Sequence, residues 1–151
     1  MDIGIRDGTI DDLDDLAEIY RVHFQYDITR SLKKFLEDNS KYVVRVATLK
    51  DKIVGYVVVH LENKNVAHIL LVIVHPNYWR RKIGTKLLRD VITILKRMHF
   101  RIIYLEVSTG NVPARMLYEK MGFRIADLKM HYYLPKEGVI DDAYVMIKKL
   151  D

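Results

Sequence analysis

A glutamate sits inside an otherwise apolar stretch, Ile102-Ile-Tyr-Leu-Glu-Val107, and a tyrosine stands at position 118, farther along the chain. Burying a carboxylate costs free energy and tends to raise its pKa. A raised Glu106 would suit a general base near neutral pH; a partly solvated glutamate at a strand end is the plainer alternative. Tyr118 shares a helical stripe with Ala114, Leu117 and Met121. Packing alone would explain it, but a phenol with a pKa near about 10 also stays protonated and can act as an acid. A third feature is the run from Val74 to Thr85, which leads from an apolar segment into a helix through Arg80, Arg81, Lys82, Ile83 and Gly84. The first amides of a helix lack internal partners and lie at its positive end. With Gly84 allowing close approach and three cations beside it, this run would make an anion site suited to a pyrophosphate. A solvated basic loop is the alternative. The chain has no cysteine, so no disulfide, thiol nucleophile or thiolate metal site exists. No serine is framed by a His–Asp pair, and the histidines show no metal-ligand spacing. No metal site is expected.

The elements that must position these residues follow from pattern. Ile3–Arg6 reads as a short strand. Thr9 to Asp12 looks like a capping box opening a helix through about Val22, and the acidic cluster Asp7, Asp11, Asp12, Asp14 and Asp15 suits a helix N-terminus. Thr29–Asp38 reads as a second short helix. Tyr42–Leu49 and Ile53–Leu61 flank Lys50-Asp51-Lys52 as a hairpin. Val66–Val74 is nearly all apolar and is expected to be buried on both faces. A helix begins at Ile83, with Leu87, Leu88, Val91, Ile94, Leu95 and Met98 on one side. Ile102–Val107 is again a strand. Asn111–Met121 is a helix, capped by Asn111 with Pro113 in its first turn and closed by Gly122. Arg124–Tyr133 and Ala143–Lys149 are the last two strands. The order β-α-α-β-β-β-α-β-α-β-β implies an α/β fold, a mixed sheet with helices on both faces.

The bulk numbers agree with one domain over residues 1–151. Half of the residues are hydrophobic and 30% are charged, enough for a core without staples. The net charge of +5 and pI near 9.3 suggest an anionic ligand or acidic surface without choosing among them. No leader is visible in Met1-Asp2-Ile3-Gly4 and no apolar run approaches a bilayer span, so a cytoplasmic protein without membrane contact is expected.

Residues 68–90 resemble the acetyl-CoA-binding motif of the GNAT superfamily of N-acetyltransferases. Its usual form is an apolar strand, then Gln or Arg, two residues, Gly, one residue, and Gly or Ala. Here the window is Trp79 to Gly84, with Trp79 in the Gln/Arg place, Lys82 in the first Gly place and Gly84 in the second. The stretch Leu105 to Asn111, then Ala114, then Leu117 to Phe123, is similar to the same superfamily, especially to the branch that acetylates protein N-termini, including ribosomal-protein alanine N-acetyltransferases. His131-Tyr132-Tyr133, Asp142-Ala143 and His68-Ile69 continue that likeness.

The resemblance implies a sheet of about seven strands and about four helices, splayed between Val66–Val74 and Ile102–Val107. It implies that amides of residues 80–85, including Thr85, hold the pyrophosphate of acetyl-CoA, and that Val72, Ile73 and Val74 pair with the pantetheine arm. It makes Glu106 the base, often through water, and Tyr118 the acid to the departing thiolate, with Asn111 touching the cofactor. The acceptor would be a protein or peptide N-terminus, received by Phe24, Gln25, Tyr26, His68, Leu70, Tyr132 and Tyr133. His68 would be a core histidine or a second base. Phe24-Gln25-Tyr26 departs from the usual Phe-Pro-hydrophobic run. A monomer or weak homodimer is expected, and a basic surface would allow docking near the ribosome. Two alternatives stand beside this: a GNAT enzyme acting on a small amine such as a polyamine, amino acid or aminoglycoside, and a non-catalytic CoA- or RNA-binding module. Aromatics interleaved with basic residues are not evident, so direct nucleic-acid binding is not expected.

Overall fold

The computed structural model describes residues 2–134 and 139–150; for residues 133, 134 and 139 it describes the backbone alone. The elements run β1 (Ile3–Asp7), α1 (Leu13–Phe24), α2 (Thr29–Glu37), β2 (Tyr42–Leu49), β3 (Lys52–Leu61), β4 (Val66–Val74), α3 (Ile83–Arg97), β5 (Ile102–Ser108), α4 (Val112–Lys120), β6 (Arg124–Leu134) and β7 (Val139–Lys149). The element order read from the sequence holds, with ends shifted by a residue or two except that α1 begins only at Leu13 and β7 begins four residues earlier than expected. The Thr9–Asp12 box opens a short 3-10 turn, Ile10–Asp12, ahead of α1. Asp12 is the reason: its Oδ2 accepts the Thr9 N–H at 2.8 Å, and both of its oxygens accept from the Arg6 guanidinium, which ties the turn to β1.

The strands form one mixed sheet in the order β1-β2-β3-β4-β5-β7-β6. Lys50 and Asp51 both take positive φ at the β2–β3 turn, the left-handed pair that a tight hairpin requires. All neighbours are antiparallel except β4 and β5, which α3 connects as a crossover. One core lies between the sheet and α3, built on Leu87, Leu88, Val91 and Leu95 with Ala67, Ile69, Ile103 and Leu105. The other lies under α1 and α2, built on Leu16, Ile19 and Leu32 with Tyr56, Val58, Leu71 and Ile73. Tyr56, fully buried, donates its hydroxyl to the Leu16 carbonyl at 3.0 Å and so locks α1 onto β3. Arg45 of β2 bonds Asp90 of α3 and Asp7 of β1, closing the far edge. No helix among the described residues is long and apolar enough to cross a membrane.

Two irregularities in β4 prepare the site. Val58 faces Leu71 and Val59 faces Ile69, so Leu70 is an extra residue, a β-bulge. The bulge swaps faces: Ala67 and Ile69 enter the α3 core, whereas Leu71 and Ile73 enter the α1 core. Second, β4 pairs with β5 at only three positions, Val66 with Ile102, Ala67 with Ile103 and His68 with Tyr104. Beyond that rung the strands part. The expected splay is therefore present. β4 buries residues in the cores on both faces, as expected, but only in part: His68, Leu70, Val72 and Val74 are half-buried.

Candidate active site

The fork brings the sequence-selected residues of both strands together. On its β4 side are Val72, Ile73 and Val74, whose backbone has β3 on one side and no β5 partner on the other. A strand edge of this kind accepts an extended ligand by main-chain hydrogen bonds. On its β5 side are Glu106 and Val107. A cavity of about 300 Å³ occupies the crotch, lined by His23, Phe24, Val72, Val107, Asn111, Ala114 and Tyr118. Phe24 reaches it from the last turn of α1, and Asn111 and Tyr118 from α4.

Above the fork is the basic loop. Arg80 and Lys82 both take the left-handed conformation, at φ 66° and 60°. Holding such a conformation costs an ordinary L-residue about 1–2 kcal/mol. Lys82 thus keeps the backbone that a glycine would adopt more easily and caps α3 from there. Ile83 is buried in the core, so only its amide is available to a ligand. A Cβ added to Gly84 would meet nothing within 4 Å, so the space over the first turn of α3 is open. Thr85 is half-buried on the same turn. Arg81 lies over the Tyr78 ring at 5.4 Å. Trp79, in the place of the motif's Gln or Arg, donates its indole N–H to the Val74 carbonyl at 2.8 Å and packs edge-on against His23. This ties the loop to the end of β4.

Glu106 is buried, 5% exposed, one turn of the pleat beyond the last rung. Its Oε1 lies 2.7 Å from His68 Nε2, and its Oε2 lies 4.0 Å from Lys129 Nζ. Lys129 in turn stands over the Tyr132 ring at 4.6 Å. Burial, then the Glu106 charge, pushes the Tyr132 phenol above its ordinary value, so it stays a hydroxyl. The β6–β7 register slips between Lys129 and Tyr132, and His131 takes positive φ there. Asp142 Oδ1 accepts the His131 N–H at 3.1 Å and holds that irregular turn. Tyr118 is buried on α4 with its ring edge-on to Phe123. Asn111 accepts the Ala114 N–H at 3.4 Å, which makes it the helix cap expected of it.

Other selected residues are placed differently. Leu70 is the bulge residue and packs toward the α1 core. Tyr26 is 61% exposed in the α1–α2 connection, after Gln25 ends α1 in the left-handed conformation. Tyr133 lies on β6 opposite Ile140, and its side chain is outside the described residues.

Sequence reasoning passed over Tyr104, Glu62, Lys129 and His23. Tyr104 stacks on His68 with centroids 4.1 Å apart and planes 10° apart, and donates its hydroxyl to Glu62. It stands two residues from Glu106 and hence on the same face of β5, a signal that could have found it. Glu62 lies in a polar turn that gives no such signal.

A model of the acetyltransferase (GNAT) family matches residues 10–123. An N-alpha-acetyltransferase of Sulfolobus acidocaldarius is 31% identical over 160 residues, covering 97% of this chain and 92% of that protein. The crystal structure of the ribosomal-protein-S18-alanine N-acetyltransferase from Escherichia coli superposes with a TM-score of 0.88 at 22% identity, over 99% of this chain and 95% of that one. PaiA N-acetyltransferase from Thermoplasma acidophilum, crystallised in complex with coenzyme A, gives 0.82 at 21% identity over 99% of both chains. At those identities the two structures speak for the fold.

Proposed function

The chain belongs to the acetyltransferase (GNAT) family, and on that premise we propose that it acetylates the N-terminal α-amino group of a protein or peptide. Acetyl-CoA is the cofactor of this family. The residues present fit it: the fork offers an open strand edge, the α3 N-terminus offers amides under an open Gly84, and cations flank the loop. The amides of residues 80–85 would hold the pyrophosphate, Val72–Val74 the pantetheine arm, and Asn111 the arm near α4. When bound, the cofactor supplies an acetyl thioester at the cavity.

The observation that carries the reading is the buried Glu106 at the base of the fork, next in the chain to Val107, which lines one cavity with Tyr118. An α-amino group titrates near about 8, so a carboxylate acting directly or through one water suffices to remove its proton. Glu106 performs that step. His68 lies 2.7 Å from Oε1 and Lys129 4.0 Å from Oε2, which fix the carboxylate in place. The Tyr118 hydroxyl returns a proton to the departing sulfur. Phe24 walls the cavity beside the acceptor, and Tyr132 offers a protonated hydroxyl to a peptide backbone. Direct attack of the amine needs no enzyme nucleophile. The Sulfolobus relative's name supports the α-amino acceptor.

The test is thiol release from acetyl-CoA with peptides of varied first residue, beside lysine and spermidine. Turnover of peptides that Glu106→Gln abolishes, with circular dichroism unchanged, supports both acceptor and base. Turnover of spermidine or lysine alone moves the protein to the small-amine branch. Coenzyme A binding without any transfer would leave a non-catalytic binding role.

A further inference from the structure

The open edge of β4 has an aromatic neighbour from outside the sheet at each end. The peptide that joins Val74 to His75 gives its N–H to the Val54 carbonyl of β3 at 2.8 Å. A trans peptide sends its carbonyl the opposite way, so the Val74 carbonyl points into the fork. By the alternation of a strand, the N–H and C=O of Val72 point there too. Trp79 Nε1 donates to that Val74 carbonyl at 2.8 Å, which sets the indole at the upper mouth of the fork. The family's motif has Gln or Arg in this place. His23, on the last turn of α1, stands edge-on to the indole with ring centroids 5.3 Å apart. His23 also lines the cavity together with Val72. The pair therefore runs beside the β4 edge from Val72 to Val74. His23 Nδ1 is buried and has no hydrogen-bond partner among the described residues. A buried polar atom without a partner costs free energy that a ligand can return.

We propose that His23 and Trp79 form a wall of the channel for the pantetheine arm, with His23 accepting a hydrogen bond from the arm and the indole covering it. The inference rests on the placement of the arm along Val72–Val74 given above, and not on which amine is the acceptor. The arm is a chain of two amides and a hydroxyl separated by short aliphatic pieces. Laid along a free strand edge, it would give one of its N–H groups to the Val74 carbonyl. Trp79 already holds that carbonyl, so the edge offers one acceptor fewer. A neutral imidazole nitrogen is the replacement at hand. Burial pushes the His23 pKa below its ordinary value, which keeps the ring neutral. Nδ1 is closed to water here, and the residue as a whole is half-buried, so the contact requires a turn of the ring about its Cβ–Cγ bond. The aliphatic pieces of the arm lie against the indole, which is 52% exposed without them. A Gln or Arg in the place of Trp79 would offer no such apolar face.

The experiment titrates two ligands by calorimetry into the parent, His23→Phe and His23→Asn. One ligand is coenzyme A; the other is 3′-phosphoadenosine 5′-diphosphate, the same molecule without its arm. Phenylalanine keeps a ring against Trp79 and loses the nitrogens, whereas asparagine keeps a polar atom near the place of Nδ1. His23→Phe should bind coenzyme A about five- to tenfold more weakly and the arm-less nucleotide within about twofold of the parent. His23→Asn should recover part of the loss. Unchanged coenzyme A affinity in His23→Phe overturns the proposal, as does a His23→Asn protein no better than His23→Phe. An equal loss for both ligands also overturns it and makes the pair a structural tie between α1 and the loop. A second readout comes from Trp79, the only tryptophan in the chain. Coenzyme A should shift its emission, and the arm-less nucleotide should leave it nearly unchanged. A shift specific to coenzyme A, with unchanged affinity in His23→Phe, overturns the His23 contact alone and keeps the arm on β4. The same emission with either ligand removes the arm from the fork, and the placement along Val72–Val74 falls with the proposal.

Discussion

Replacing Gly84 should separate stability from cofactor affinity. A side chain there meets no protein atom within 4 Å, and the backbone of Gly84 lies outside the left-handed region. In a helix interior, Gly is about 1 kcal/mol less favourable than Ala and nearly as much below Leu. On the first turn of α3 about half of that is a fair share. For a chain of this length, 1 kcal/mol corresponds to a shift in Tm of about 2–4 °C. Both Gly84→Ala and Gly84→Leu should therefore melt about 1–2 °C above the parent. Coenzyme A should distinguish them. A methyl group is permitted by the family's motif, so Gly84→Ala should bind within about threefold of the parent. A leucine fills the space over the loop amides and should weaken binding at least about tenfold, or about 1.4 kcal/mol. Thermal melting and calorimetric titration with coenzyme A measure the two quantities. Unchanged affinity in Gly84→Leu would show that the phosphates lie elsewhere. A lower Tm in both variants would show that the space is not open.

Tyr118→Phe should keep the fold and lower kcat about 100-fold with little change in KM, read by thiol release. Asp90→Ala removes the main partner of an Arg45 whose side chain is only 16% exposed, leaving it the exposed Asp7. It should cost about 1–3 kcal/mol in urea denaturation without touching coenzyme A affinity. The Arg6 hydrogen bond holds the Asp12 carboxyl below its ordinary value of 3.8, with the Thr9 amide adding to it. Its folded pKa lies below its unfolded one, so its contribution is complete above about pH 4 and drains away as pH falls through the folded value. Asp12→Asn should consequently melt lower than the parent at pH 7 and show a flatter dependence of Tm on pH below 4.

Much of this architecture is legible in the sequence because its signals are local. The apolar face of Ile83–Arg97, the Asn111 cap and the Lys50–Asp51 turn each follow from neighbouring residues, and each is present. The splay followed from the family resemblance, since nothing in Val66–Val74 marks where pairing with Ile102–Ser108 stops. The bulge at Leu70 escaped for a related reason. A bulge is a mismatch between two strands, and the apolar run on each side of it reads the same with or without the extra residue. Among site residues, Glu106 stood out as a charge in an apolar strand. Glu62 did not, because a glutamate in the polar turn after β3 looks like any solvated charge until His68 and Tyr104 are seen against it. Lys82 was identified as standing in a glycine's place; that it takes the glycine's backbone conformation is a property of the folded loop.

The three rungs that join β4 to β5 also bear on where the sheet opens. β1 to β4 pair as an antiparallel meander, and β5 to β7 form a second antiparallel set. The joint between the two sets is three residue pairs long, against eight between β2 and β3 and seven between β5 and β7. The seam where the chemistry lies is therefore the most weakly laddered joint of the sheet. In native-state hydrogen exchange, opening along that seam should demand less free energy than opening either block. A sheet that separates most easily where its ligand must thread can admit a long, thin cofactor arm without unfolding anything else.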